Sequence, residues 1–127
     1  MKKIITLATL MIVMALSSMC SAANWYWLAS NDEHSIFIDT SSAYRDGHWL
    51  CAWYKWTSTD GSYQLVEEKS TIYNRRIYYK MGNLCAYNAN RHLEFSHNYN
   101  FQHVDELPPN SIGEVAFVKA MYMYKDK

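Results

Sequence analysis

Residues 46–61 read DGHWLCAWYKWTSTDG, a strand held between two reversals. Asp46-Gly47 and Asp60-Gly61 are turn dipeptides, because glycine takes positive φ at little cost and aspartate bonds its own backbone. Between them, His48 to Trp56 is dense in the aromatic side chains that suit a pleated surface. Extended backbone sends alternate side chains to opposite faces, so Trp49, Cys51, Trp53 and Lys55 share one face and Leu50, Ala52, Tyr54 and Trp56 the other. Both faces carry aromatics. One is expected to pack on the core, and the other to be partly covered or open to a partner.

The flanking sequence continues the pattern. Trp25-Tyr26-Trp27-Leu28 and Ser35-Ile36-Phe37-Ile38-Asp39 read as short strands. Strand-rich stretches follow from Glu67 to Lys80 and from Leu84 to about His103, with Asn88-Ala89-Asn90 as a bend or bulge. Gly82-Asn83, between Ile77-Tyr78-Tyr79-Lys80 and Leu84-Cys85-Ala86-Tyr87, reads as a third reversal. Three tight reversals imply an antiparallel meander of five or six strands.

Pro108-Pro109-Asn110 stops the extended region, and Ser111 to Lys125 changes to a helical period. Ser111 and Glu114 form a capping box, which satisfies otherwise unpaired N–H groups of the first turn. At 100° per residue Ile112, Ala116, Ala120 and Met123 share a face flanked by Phe117 and Tyr124, while Glu114, Val118, Met121 and Lys125 point away. Small Ala116 and Ala120 allow close approach to a sheet. The expected class is α+β, one antiparallel sheet with a C-terminal helix packed on it.

The chain has 127 residues, with 12 basic and 12 acidic side chains, and aromatics at 16%. That length makes one domain, and the neutral balance gives no field for a dedicated nucleic-acid binder. Lys2 and Lys3 precede an apolar run from Ile4 to Leu16 and then Ser21-Ala22-Ala23, the grammar of a secretory signal peptide over residues 1–23. As a helix the run reaches only about 20 Å, short of a bilayer core. Cleavage after Ala23 would start the domain, 24–127, at Asn24. A second reading makes Cys20 a lipidated cysteine, although Ser17 and Met19 fit that site poorly. The protein is thus expected to be exported, either periplasmic or secreted, or else anchored in the outer membrane through Cys20.

Loss of Cys20 leaves Cys51 and Cys85, an even pair in a compartment that permits disulfides. They are expected to pair, closing a loop of roughly 35 residues and stabilising the fold by about 4 kcal/mol on the chain-entropy model. Two buried free thiols are the other reading.

Several of these pieces occur together in the surface-adhesin protein E family, exported bacterial proteins that this chain resembles over nearly its whole mature length. The resemblance lies in Trp25 to Leu28, in Ile38-Asp39-Thr40-Ser41-Ser42 with Arg45 and Gly47 after it, and in Trp53-Tyr54-Lys55. It continues in Arg75-Arg76 before an aromatic strand and in Pro109-Asn110-Ser111-Ile112-Gly113-Glu114 opening the helix. It implies a six-stranded antiparallel sheet with a helix packed on it. It also implies adhesion, since the named member binds matrix and plasma proteins of the host and has been linked to haem. Members commonly tie the final helix to a central strand by a disulfide near the positions of Tyr73 or Asn74. This sequence has no cysteine there or near its end.

Arg75, Arg76 and Lys80 form a candidate basic patch around Tyr78, with Arg76, Tyr78 and Lys80 on one strand face and Arg75 on the other beside Ile77 and Tyr79. The five histidines, His34, His48, His92, His97 and His103, do not converge in a regular strand reading, so no metal or cofactor is expected. Asp39, at a strand end before Thr40-Ser41-Ser42, reads as a turn or capping residue. No nucleophile elbow, phosphate loop or zinc helix is present, and Glu67 and Glu68 point to opposite faces. The expected function is therefore binding without catalysis, as a protein E-like adhesin contacting host matrix or cell-surface proteins. The alternative is a soluble periplasmic protein that binds or inhibits another protein.

Overall fold

Both Asp-Gly dipeptides turn the chain, and the strand between them is the centre of the sheet. The computed structural model describes residues 23–125. Apart from Ala23, the expected leader lies outside them, as does Cys20. The elements are β1 (Trp25–Ser30), β2 (His34–Asp39), β3 (Tyr44–Asp46), β4 (Trp49–Ser58), β5 (Tyr63–Tyr73), β6 (Arg76–Tyr87), β7 (Leu93–Asn98), β8 (Asp105–Glu106) and α1 (Ile112–Met123).

All eight strands form one antiparallel sheet in the order β1-β2-β4-β5-β6-β7, with β3 also on β4 and β8 also on β6. The expected class and the C-terminal helix stand, but eight strands replace five or six. The difference comes from two interrupted rows. Along one edge of β4, β2 pairs Ile38 with Tyr54 and β3 pairs Tyr44 with Cys51, while residues 40–43 between them leave the ladder. Along β6, β7 pairs Asn98 with Asn83 and β8 pairs Asp105 with Tyr79, again with a detour between.

Asp39 organises the first detour. Its carboxylate accepts hydrogen bonds from the N–H of Asn24 at 2.8 Å and from the N–H and hydroxyl of Ser41 at 3.0 and 2.6 Å. Gly47, with φ +60, opens the two-residue loop from Asp46 to Trp49, the backbone that matches strand twist in a tight hairpin.

One sheet face carries the core. Leu50, Ala52 and Tyr54 of β4, Ile36 and Ile38 of β2, Val66 of β5 and Ile77 of β6 are buried with Ala116, Phe117 and Ala120 of α1. The Phe117 ring lies 4.8 Å from Tyr54 and 6.5 Å edge-on from Tyr79. Ala116 and Ala120 are fully buried, so the helix approaches as closely as their small side chains allow. Ser111 caps the helix by accepting from the Glu114 N–H at 3.1 Å, and its own N–H goes to the Pro108 carbonyl. The helix is shorter than Ser111–Lys125, and Met121, expected outward, is buried. The buried stripe runs through Gly113, Ala116, Phe117, Ala120 and Met121, because the end of α1 lies over the β3–β4 hairpin, where Arg45 reaches the Met121 carbonyl.

Two further expectations are corrected. Gly82-Asn83 is no reversal: β6 runs through it. Val66 pairs with Leu84 and Glu68 with Met81, so Glu67 alone opposes two residues, a bulge. Glycine at 82 leaves room for two side chains over the strand, since a Cβ there would lie 2.4 Å from the Phe101 ring and 2.7 Å from the Glu67 carboxylate and force them to shift. The third reversal instead joins β5 to β6 at Asn74 and Arg75, both with positive φ.

The second correction concerns Cys51 and Cys85, which are free thiols. They sit on β4 and β6 with β5 between, Cys51 opposite Lys69 and Cys85 opposite Leu65. Two strand spacings of about 4.8 Å and four residues of about 3.3 Å each separate them, far beyond the ~7 Å Cα separation a disulfide can span.

Candidate functional site

The sheet face turned away from α1 carries the side chains that β4 directs outward, Trp49, Cys51, Trp53 and Lys55. Register places Lys69, Glu67 and Leu65 of β5 opposite the last three, and Lys80, Cys85 and Tyr87 of β6 opposite Lys69, Leu65 and Tyr63. Rows of rings thereby alternate with rows of ammonium groups.

The pairs are close. Lys55 Nζ lies 5.0 Å from the Tyr63 ring centre and 5.8 Å from that of Trp25, Lys80 Nζ lies 4.6 Å from Trp49, and Lys69 Nζ lies 4.6 Å from Phe101. Tyr63 and Tyr87 stack at 4.8 Å with an angle of 13°. An ammonium over a ring is held by the ring quadrupole without an anionic partner, so its charge stays available to a ligand. Trp49, Trp53, Lys55, Lys69, Lys80 and Tyr87 are all half-buried, with surface left to contact a partner. Carboxylates also belong to the face. Glu67 accepts from the Asn83 side chain at 3.1 Å, and Asp46 lies across from Trp49 at the edge.

Beneath the rings, the Cys51 thiol is buried next to Tyr44. Burial pushes its pKa up, and the Tyr44 hydroxyl and Lys69 ammonium offset this only in part, so it stays a neutral thiol. Phe101 reaches the face from the detour after β7, where Asn100 and Phe101 both take positive φ and the Phe101 N–H donates to the Met81 carbonyl at 2.9 Å.

The four residues of the expected basic patch do not act as a unit. Register keeps Arg76, Tyr78 and Lys80 on one face, opposite Tyr73, Thr71 and Lys69. Arg76 is neutralised there by Glu106 at 2.6 Å, a bond that holds β8 against β6 and raises the guanidinium pKa further. Lys80 joins the ring array through Trp49. Arg75 is in the turn, not on a strand face with Ile77 and Tyr79, and is exposed at the hairpin tip. Lys55, Lys69 and Trp25 were missed as site residues, although the outward alternation on β4 already put Trp49, Trp53 and Lys55 together. Phe101 gives no signal in the sequence, since a backbone detour places it.

Asp39 has the turn role expected of it. Burial alone would raise its pKa, but bonds from the Ser41 hydroxyl and from the Asn24 and Ser41 N–H groups outweigh that and hold it below the usual carboxylate range. Among the described residues no three of His, Cys, Asp and Glu converge as a metal-binding group. Comparison of the chain with family models, with curated proteins and with solved structures finds no match.

Proposed function

We propose that this chain is an exported binding module that docks an acidic surface of a partner protein on the open face of its sheet, as a protein E-like adhesin. The observation that carries the reading is the array of Lys55, Lys69 and Lys80 set among Trp25, Trp49, Tyr63 and Phe101. Aromatic rings give apolar contact at low entropic cost, and neighbouring lysines select carboxylates, the composition of a protein-recognition surface.

Export is supported at the other end of the chain. The Asn24 nitrogen lies 2.8 Å from a carboxylate that is 6% exposed. Cleavage after Ala23 turns that amide into an ammonium, so the new terminus forms a charge-assisted bond at once.

The test is binding of the protein to immobilised extracellular-matrix proteins, with Lys55, Lys69 and Lys80 changed to Glu together and circular dichroism as the control of folding. Expected is at least a hundredfold loss of affinity with an unchanged spectrum, and a wild-type affinity that falls with salt. Equal binding by the variant overturns the face. Absence of wild-type binding to any matrix protein overturns the adhesin reading.

A further inference from the structure

Under the helix, on the opposite side of the sheet, Glu68 Oε2 is a buried polar atom with no hydrogen-bond partner, and the Tyr54 and Ser70 hydroxyls lie buried together on the same face. Register explains their proximity, since Leu50 pairs with Ser70, Ala52 with Glu68 and Tyr54 with Val66, all facing α1. Glu68 is 5% exposed. A carboxylate so enclosed is costly unless it is paired or protonated, and an apolar residue there would have cost nothing of the kind.

Beside Glu68 lies a partly open cleft of about 190 Å³, lined also by Trp56, Gln64, Tyr79, Met81, Leu107 and Phe117. A cavity of about 150 Å³ accepts a benzene ring, so this one has room for a single ring or a short alkyl chain. Apart from Gln64 and Glu68 its walls are aromatic and apolar, with no lysine, arginine or histidine among them, and Glu68 Oε2 is unpaired.

We propose that this cleft is a binding site for a small organic cation, its ammonium on Glu68 and its short apolar body against Trp56, Tyr79 and Phe117. A cation suits these walls: it gives the Glu68 carboxylate a counter-charge, and aromatic faces attract an ammonium. A neutral alcohol brings no counter-charge to the ionised carboxylate, and an anion would meet a carboxyl. The site lies on the face of the sheet opposite the lysine array and does not depend on it.

Binding is linked to a proton. Burial pushes the Glu68 pKa up to about 8, so near neutral pH the carboxyl holds a proton that an arriving ammonium must displace. The titratable groups that feel Glu68 are Tyr54 of β4 and Tyr79 of β6, with Tyr124 near Tyr54. Burial shifts all three phenols upward, and they stay neutral below pH 8. Affinity for an amine therefore rises about tenfold per pH unit up to about pH 8 and then levels.

The experiment is a titration of the isotope-labelled protein with benzylamine and, separately, with benzyl alcohol, following the Trp56 indole and Phe117 signals and the Glu68 carboxyl carbon. Expected are saturable shifts at Trp56 and Phe117 with benzylamine, a tenfold gain in affinity from pH 6 to 7, and binding of benzyl alcohol at least tenfold weaker. Benzylamine should also lower the apparent pKa of Glu68. In Glu68→Gln the preference for the amine and its pH dependence should both vanish. Equal binding of the two probes, unmoved Trp56 and Phe117 signals, or a Glu68 titration indifferent to benzylamine each overturns the proposal; the last measurement needs only the wild-type protein.

Discussion

Arg75 occupies the second central position of the β5–β6 turn with φ +64, after Asn74 at φ +51. Two left-handed residues define a type I′ hairpin, in which asparagine is at home and glycine is the usual successor. A side chain in that conformation costs about 1–2 kcal/mol, partly offset because glycine loses more entropy on folding. Arg75→Gly is thus expected to raise stability by about 0.5–1 kcal/mol in urea denaturation. No gain would show that the arginine makes a compensating contact. The same residues show why this reversal was not legible in the sequence while a false one was. Asn-Arg carries no glycine, so a turn there hides inside an apparent strand. Gly82-Asn83 has the right dipeptide, but its glycine answers to the Phe101 ring pressing on the backbone rather than to a turn.

At the scale of elements, α1 was readable because its start is marked by proline and a capping serine and its inner face by small residues. Its far end was not. No basic residue lies in the last turn, and the charge opposing the negative helix end comes from β3, where Arg45 donates through Nε to the Tyr124 carbonyl at 3.1 Å and through a terminal nitrogen to the Met121 carbonyl at 3.4 Å. A contact between residues 79 apart has no local sequence signature. Arg45→Met keeps the stem and removes the charge. It should cost about 1–2 kcal/mol and leave a stability less sensitive to salt than that of the wild type, read by thermal unfolding at two ionic strengths. A loss below a few tenths of a kcal/mol would mean that the helix end needs no cap. The strand rows were likewise legible from alternation, whereas the breaks in two of them were not, because Asp39 with its serine donors and Phe101 with Gly82 create them through tertiary contacts. The Cys51–Cys85 pairing failed for the same reason: an even count says nothing of register, and register keeps the two sulfurs on strands separated by β5.

Across the whole molecule, the sheet separates two chemistries, a lysine and aromatic surface on one face and an apolar core holding one unpaired carboxyl on the other. Glu68 makes the balance depend on pH. Its pKa is about 8 in the folded chain and near the model-peptide value of 4.5 when unfolded. Between those values the folded state holds the extra proton, so stability is greatest below about pH 4.5 as far as this group is concerned. It falls as pH rises toward 8 and is flat above, a loss on the order of 4–5 kcal/mol. Glu68→Met should remove that slope and raise stability at pH 8 by a few kcal/mol, measured by urea unfolding across the pH range. A wild-type stability that does not fall between pH 5 and 8 would place Glu68 in contact with a counter-charge. The outer face offers no such internal readout, and its purpose is read only through what it touches.

The most direct test of the open face is site-specific photo-crosslinking in cells that express the protein. A photoreactive phenylalanine replaces Trp53, at the centre of the ring and lysine array, or Tyr122, which is 74% exposed on the outer side of α1. A docking site on the open face gives one defined protein adduct from position 53 and none from position 122. An adduct from 122 alone, or none from 53, would contradict it.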